Sequence, residues 1–92
     1  MQDKSVETSY LDCPELIAVK PTKDYCLIVT FGNGEVKKVD FTPYFKYEVF
    51  KPLKNKSLFN KVHVRYGGVS WNNEIDLASA SLYDAGELIN NN

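Results

Sequence analysis

Tyr25-Cys26-Leu27-Ile28-Val29-Thr30-Phe31-Gly32-Asn33-Gly34-Glu35-Val36-Lys37-Lys38-Val39-Asp40 is the run that decides the fold. Its first seven residues are aromatic or β-branched for the most part, which suits a pleated surface. Alternation sets Tyr25, Leu27, Val29 and Phe31 on one face and Cys26, Ile28 and Thr30 on the other. Apolar residues on both faces predict a central strand. Gly32-Asn33-Gly34 offers residues that tolerate the positive φ of a tight hairpin turn. Glu35 to Asp40 reads as the returning strand. It is more polar and is expected nearer an edge, where lysines also discourage edge-to-edge association.

Outward from this hairpin the signals shorten. Leu16-Ile17-Ala18-Val19-Lys20 is a strand that Pro21 ends. From Phe41 to Asn60, Pro43 and Pro52 exclude one long helix. Short turns are expected at Thr42-Pro43-Tyr44-Phe45 and Val49-Phe50. A better helix runs from Lys56 to Lys61 with Asn55 as N-cap, and Leu53, Leu58, Phe59 and Val62 anchor it to the sheet. Val62-His63-Val64-Arg65-Tyr66 alternates, with Val62, Val64 and Tyr66 inward and His63 and Arg65 outward. Gly67-Gly68 turns it back into Val69-Ser70-Trp71. Asn72-Asn73 is a further turn and Ile75-Asp76-Leu77 a short extended piece. Ser79 or Ser81 caps a last helix, which Gly86 ends in the left-handed conformation. The reading is an α+β fold: a small, mostly antiparallel β-sheet with hairpins, covered by short helices. Residues 1–15 are expected to be a flexible arm, 16–92 a single domain.

Ninety-two residues bury one modest core and leave little room for a deep cleft. No window reaches the ~18 apolar residues of a membrane span. The polar start, Met1 to Glu7, lacks a signal-peptide apolar region, so the expected compartment is the cytoplasm. Cys13 and Cys26 stand outside any Cys-x-x-Cys pair, and a chain without an export signal is not expected to join them. Cys26 reads as a small core residue. The net charge of −1 hides an asymmetry. Val36 to Tyr66 holds eight basic residues against two acids, a net +6, and the remainder holds three against ten, a net −7. Such segregation favours an oriented contact with a charged partner.

Several of these segments together resemble a known family. They are Ala18-Val19-Lys20-Pro21, Asp24-Tyr25, Leu27 to Phe31, Asn33-Gly34-Glu35-Val36, Asp40-Phe41, Val49-Phe50-Lys51-Pro52-Leu53, Leu58-Phe59, Val62-His63-Val64, Gly67 to Asn72, Ile75-Asp76-Leu77 and Leu82-Tyr83. In this order and spacing, over roughly Leu16 to Gly86, they resemble Domain of Unknown Function 2442, a family of small, mostly bacterial proteins. The resemblance implies a β-sheet covered by short helices and no established activity. It also implies relatives with an appended helix-turn-helix, and relatives encoded beside a second small protein in toxin–antitoxin-like pairs. Too few residues follow Gly86 here for a helix-turn-helix, so autonomous operator recognition is not expected.

Two residue sets are candidates for contact. Trp71, Asn72, Glu74 and Asp76 would make a polar pocket beside an aromatic wall, with asparagine donors and acceptors and carboxylates for cationic groups. The competing structural reading is a core tryptophan followed by an asparagine turn. Lys51, Lys54, Lys56 and Arg65 belong to the basic stretch, which is interleaved with aromatics and would suit phosphates and stacked bases. The low pI of 5.7 and the single arginine argue against that use. His63 is the lone histidine and reads as a solvent-facing strand residue, not a metal ligand. Ser70 lacks a nucleophile-elbow pattern. No catalytic, metal or cofactor-binding residue is assigned. The expected function is a non-enzymatic protein-interaction or regulatory module, the antitoxin-like half of a two-protein pair, with self-association as another route. The alternative is a nucleic-acid-binding module using Lys37 to Arg65.

Overall fold

In a computed structural model the chain is an α+β fold of two antiparallel sheets and short helices, described here for residues 14–72 and 75–89. Strands β1 (Leu16–Pro21), β2 (Cys26–Phe31) and β3 (Val36–Asp40) form a meander. Strand β7 (Glu87–Leu88) joins β3, giving the order β1-β2-β3-β7. Strands β4 (His63–Arg65), β5 (Gly68–Ser70) and β6 (Asp76–Leu77) form the second sheet, in that order. The sheets approach each other where β4 lies alongside β1.

β2 is central, as its two apolar faces predict. Leu27, Val29 and Phe31 point inward with no exposed surface. Their register partners on β3 put Val39 and Lys37 on the same face. The β2–β3 turn is a three-residue loop. Gly34 N–H donates to Phe31 O at 2.9 Å, and Gly34 takes φ 94°. Asn33 Oδ1 accepts from Glu35 N at 3.0 Å. β3 is not an edge strand: β7 pairs with it through Lys37 and Lys38. Two residues are too short a strand to show a period, so the sequence gives no sign of β7.

The connection after β3 is built from 3-10 turns over Thr42–Lys46 and Glu48–Lys54, where the two prolines fit. Helix α1 (Lys56–Phe59) follows, and Asn55 Oδ1 caps it by accepting from Ser57 N and Leu58 N. Phe41, Phe50, Leu53, Phe59 and Val62 carry this segment into the core. Phe41 is the hub, with ring centroids of Tyr44, Phe50 and Trp71 at 4.6, 5.4 and 5.3 Å. Helix α2 (Ser79–Ala85) packs on both β3 and β5, with Leu82 fully buried.

Two expectations about α2 are corrected. Its N-cap is Ala78, without a side-chain cap, in place of Ser79 or Ser81. Gly86 takes φ −81° and ψ 153°, so it is extended and not left-handed. Glycine is favoured here for space and not for its dihedral: a Cβ would stand 2.9 Å from Lys37 Cβ and 3.2 Å from Val39 Cγ2. The expected arm, residues 1–15, falls outside the described residues except for Pro14 and Glu15. Cys13 falls outside them too. Cys26 is buried with a free thiol.

Candidate functional site

The β4–β5 hairpin turns one residue earlier than its two glycines suggest. Arg65 pairs with Gly68, so the loop is Tyr66-Gly67. Both loop residues have positive φ, 51° and 80°, the signature of a two-residue type I′ turn. The inward positions expected for Val64 and Tyr66 therefore fail. The strand ends at Arg65, Val64 is exposed, and Tyr66 stands at the hairpin tip with 93% of its surface in solvent. Gly68 is in the strand for a different reason from Gly67. A Cβ on it would meet Leu77 O at 2.5 Å, so β5 and β6 close only with glycine there.

Tyr25 makes a useful contrast. It is the other non-glycine residue with positive φ among those described, at 62°. Its ring packs edge-on against Phe45 and Phe59, both with centroids at 5.2 Å. Lys56 Nζ lies 4.4 Å from its ring centroid, and its hydroxyl donates to Lys54 O. Packing thus offsets the left-handed cost at Tyr25. Tyr66 has the same strain, but its ring stands 93% in solvent, with the Arg65 guanidinium 5.0 Å from its centroid.

Beside this tip a half-open cleft of about 500 Å3 runs between the β4–β5 hairpin and the start of α2. Arg65, Tyr66, Ser70, Asp76 and Ser79 are among its lining residues. Ser70 is buried, and its hydroxyl sits 2.7 Å from Asn72 O and 3.3 Å from Ile75 O, where it ties the loop and is no free nucleophile. The cleft offers a guanidinium, a phenol and an exposed carboxylate, which together suit recognition of a polar or zwitterionic group. No group of three His, Cys, Asp or Glu that could hold a metal exists among the described residues.

The two sequence-derived sets are divided and recombined. Trp71 lies in the core, 2% exposed, with Nε1–H donating to Phe59 O at 3.1 Å. It does not wall the cleft. Asn72 is a turn residue whose Oδ1 accepts from Ile75 N at 2.9 Å. Glu74 lies outside the described residues. Asp76 faces the cleft, as does Arg65 from the basic set. Lys51 pairs with Glu48 at 2.9 Å, and Lys54 is exposed. Lys56 Nζ donates to Lys23 O. Lys37 Nζ donates to Tyr83 O at 2.7 Å and sits 3.6 Å above the Tyr83 ring. Lys37 and Lys56 thus serve the fold itself. His63 is exposed on β4, with Nδ1 3.0 Å from Lys61 O. Tyr66 was missed because strand alternation was carried one residue too far; the Tyr-Gly pair between two three-residue strands was the available signal.

No described helix is long and apolar enough to cross a membrane. No curated protein and no solved structure matches the chain. The family described as Protein of unknown function (DUF2442) matches over residues 16–87, most of the chain and all seven strands among the described residues but for the last residue of β7. On that extent the chain belongs to the DUF2442 family.

Proposed function

We propose that this chain is a non-enzymatic interaction module of the cytoplasm, the regulatory half of a two-protein pair, and that it grips its partner with the β4–β5 tip and the cleft beside it. The supporting observation is Tyr66, a large aromatic kept 93% exposed on a left-handed backbone that asparagine or glycine would fill at lower cost. Such strain brings the fold nothing at Tyr66, in contrast to Tyr25. Tyrosine and arginine are also the residues that most often anchor protein interfaces. Arg65 and Asp76 flank Tyr66 at the cleft with opposite charges and would fix a partner's orientation.

The test is affinity capture of the full chain from its native host extract at low salt, with and without nuclease, beside Tyr66→Ala and Lys51→Ala. One stoichiometric protein should survive nuclease and survive Lys51→Ala. Its affinity should fall about tenfold or more with Tyr66→Ala, as for an interface anchor. Recovery that disappears with nuclease would transfer the role to nucleic acid, where an exposed Tyr66 beside Arg65 offers a stacking platform. A partner indifferent to Tyr66→Ala would remove the cleft from the argument.

A further inference from the structure

β2 carries apolar residues on both faces; the core covers one, and on the other Cys26, at the start of the strand, is buried while Ile28 and Thr30 are half-buried. Every helix and 3-10 turn with a buried side chain contributes to the core lined by Leu27, Val29, Phe31 and Val39. The opposite face is set by register. One row across the sheet reads Ala18, Thr30, Val36, with Ile89 bonded through its N–H to Val36 O at 2.9 Å. The next row reads Lys20, Ile28, Lys38, Glu87. Ile28, Thr30 and Val36 are half-buried by their neighbours, whereas Ala18, Lys20, Lys38 and Glu87 are exposed, and Ile89 is 50% exposed. None of the residues named in these two rows is fully buried. A solvated antiparallel face ordinarily alternates to polar residues, and the first of these rows has Thr30 alone among Ala18, Val36 and Ile89.

The charges say what fits there. Lys20 stands at one rim of its row and Glu87 at the other, on the two outer strands β1 and β7. A two-fold axis parallel to the strands, passing between two stacked sheets, places β1 of one copy over β7 of the other and β2 over β3. It sets Lys20 against Glu87 at both rims, Thr30 against Val36 and Lys38 against Ile28 in the middle, and Ala18 against Ile89, with Lys38 beside Glu87 of its own copy. The rims of the face are complementary under that single operation, as an isologous interface requires. We propose that two copies of this chain associate through the outer face of the four-stranded sheet, with twofold-related Lys20–Glu87 pairs closing its rims. Stacked sheets of this kind pack about 10 Å apart with strands within about 30° of alignment. Four strands and two to three rows span on the order of 300 Å2 per copy, below the ~800 Å2 per partner of a tight complex. The dimer is therefore concentration-dependent, and it leaves the β4–β5 cleft open for a different partner.

Sedimentation equilibrium of the full chain at low salt, from about 5 to about 500 µM, spans the affinity a face of this size supports. Wild type should pass from monomer to dimer in that range. Thr30→Arg should remain a monomer while keeping its circular dichroism, since Thr30 already faces outward. Lys20→Glu and Glu87→Lys should each weaken association about fivefold by placing like charges opposite one another. The double variant Lys20→Glu/Glu87→Lys should recover most of the loss, because the swap restores both pairs. Tyr66→Ala should dimerise as wild type does. A monomer at every concentration would overturn the proposal, including the case in which residues 1–13 of the same chain occupy the face. So would a charge swap as weak as its single variants, or loss of the dimer on Tyr66→Ala.

Discussion

The four-stranded and three-stranded sheets are held together by different physics. The first has strands of five and six residues over most of its width, and β2 drives three consecutive inward side chains into a dry core. The second has strands of two and three residues, and all of β4 is exposed. Val69 of its middle strand anchors it in the core, and the rest of its cohesion comes from turn chemistry: the left-handed Tyr66-Gly67 pair, the bare Cα of Gly68 under Leu77, the shared Ser70 hydroxyl and the Asn72 amide. One sheet is a scaffold built by apolar burial. The other is a small platform whose geometry depends on a few specific residues.

That division can be broken at several points, in descending order of effect. Phe31→Ala removes a fully buried ring that packs edge-on against Tyr83 at 5.0 Å. It should cost ~3–5 kcal/mol, enough to unfold much of a domain this small, as urea denaturation would record. Gly68→Ala forces a Cβ against backbone that cannot rotate away, and should cost roughly 2 kcal/mol. Its amide-exchange damage should concentrate in β5 and β6 and spare β2; uniform loss of protection would mean the two sheets unfold as one unit. Tyr66→Asn should act in the opposite direction. Relief of the left-handed strain should stabilise by ~1 kcal/mol, a rise of roughly 4–8 °C in Tm for a domain of this size, while binding of the proposed partner should be lost. A variant that is both less stable and unable to bind would show that Tyr66 is structural.

The smallest effect is a pH dependence placed in the first sheet. Hydrogen bonds from Tyr83 and then Asn33, with the charge of Lys37, hold the Glu35 carboxyl below its ordinary value of 4.5. The Thr42 hydroxyl and then the Thr42 backbone amide hold Asp40 below 3.8. A carboxyl whose folded pKa is depressed stabilises fully above its unfolded pKa, and that contribution fades as pH falls through the folded value. Glu35→Gln and Asp40→Asn should therefore each lower Tm slightly at neutral pH, where that contribution is lost, and make the fall in Tm below about pH 4.5 shallower as variant and wild type converge. An acid limb as steep as wild type in both variants would assign it to other carboxylates.

The scaffold was legible because long strands repeat their signal. Alternation from Leu27 to Phe31 and the Gly32-Asn33-Gly34 turn agree with each other, and Asn55 announces its helix. The platform was not, because adjacent glycines look alike in a sequence. Gly67 is required for its dihedral and Gly68 for the space beneath Leu77, and only the backbone tells them apart. A one-residue shift in the turn then reversed the reading of Tyr66, which carries the candidate site. Trp71 was ambiguous for another reason: a tryptophan beside asparagines reads equally as a pocket wall or a core anchor, and the Phe59 carbonyl that receives its N–H is twelve residues away.

The pairing of β3 with β7 also bears on how the chain is made. β1, β2 and β3 are neighbours in sequence and can assemble on the ribosome as soon as Asp40 has emerged. The outer edge of β3 gains its partner only after Glu87 and Leu88 have been synthesised, nearly fifty residues later. At ~5–20 residues per second that edge is bare for several seconds in every nascent chain. Lys37 and Lys38 lie on the stretch that waits. Their charges repel a neighbouring nascent strand during the interval, and when β7 arrives Lys37 folds its amine onto Tyr83. The same lysine guards the edge while it is open and helps to fasten it once it is closed.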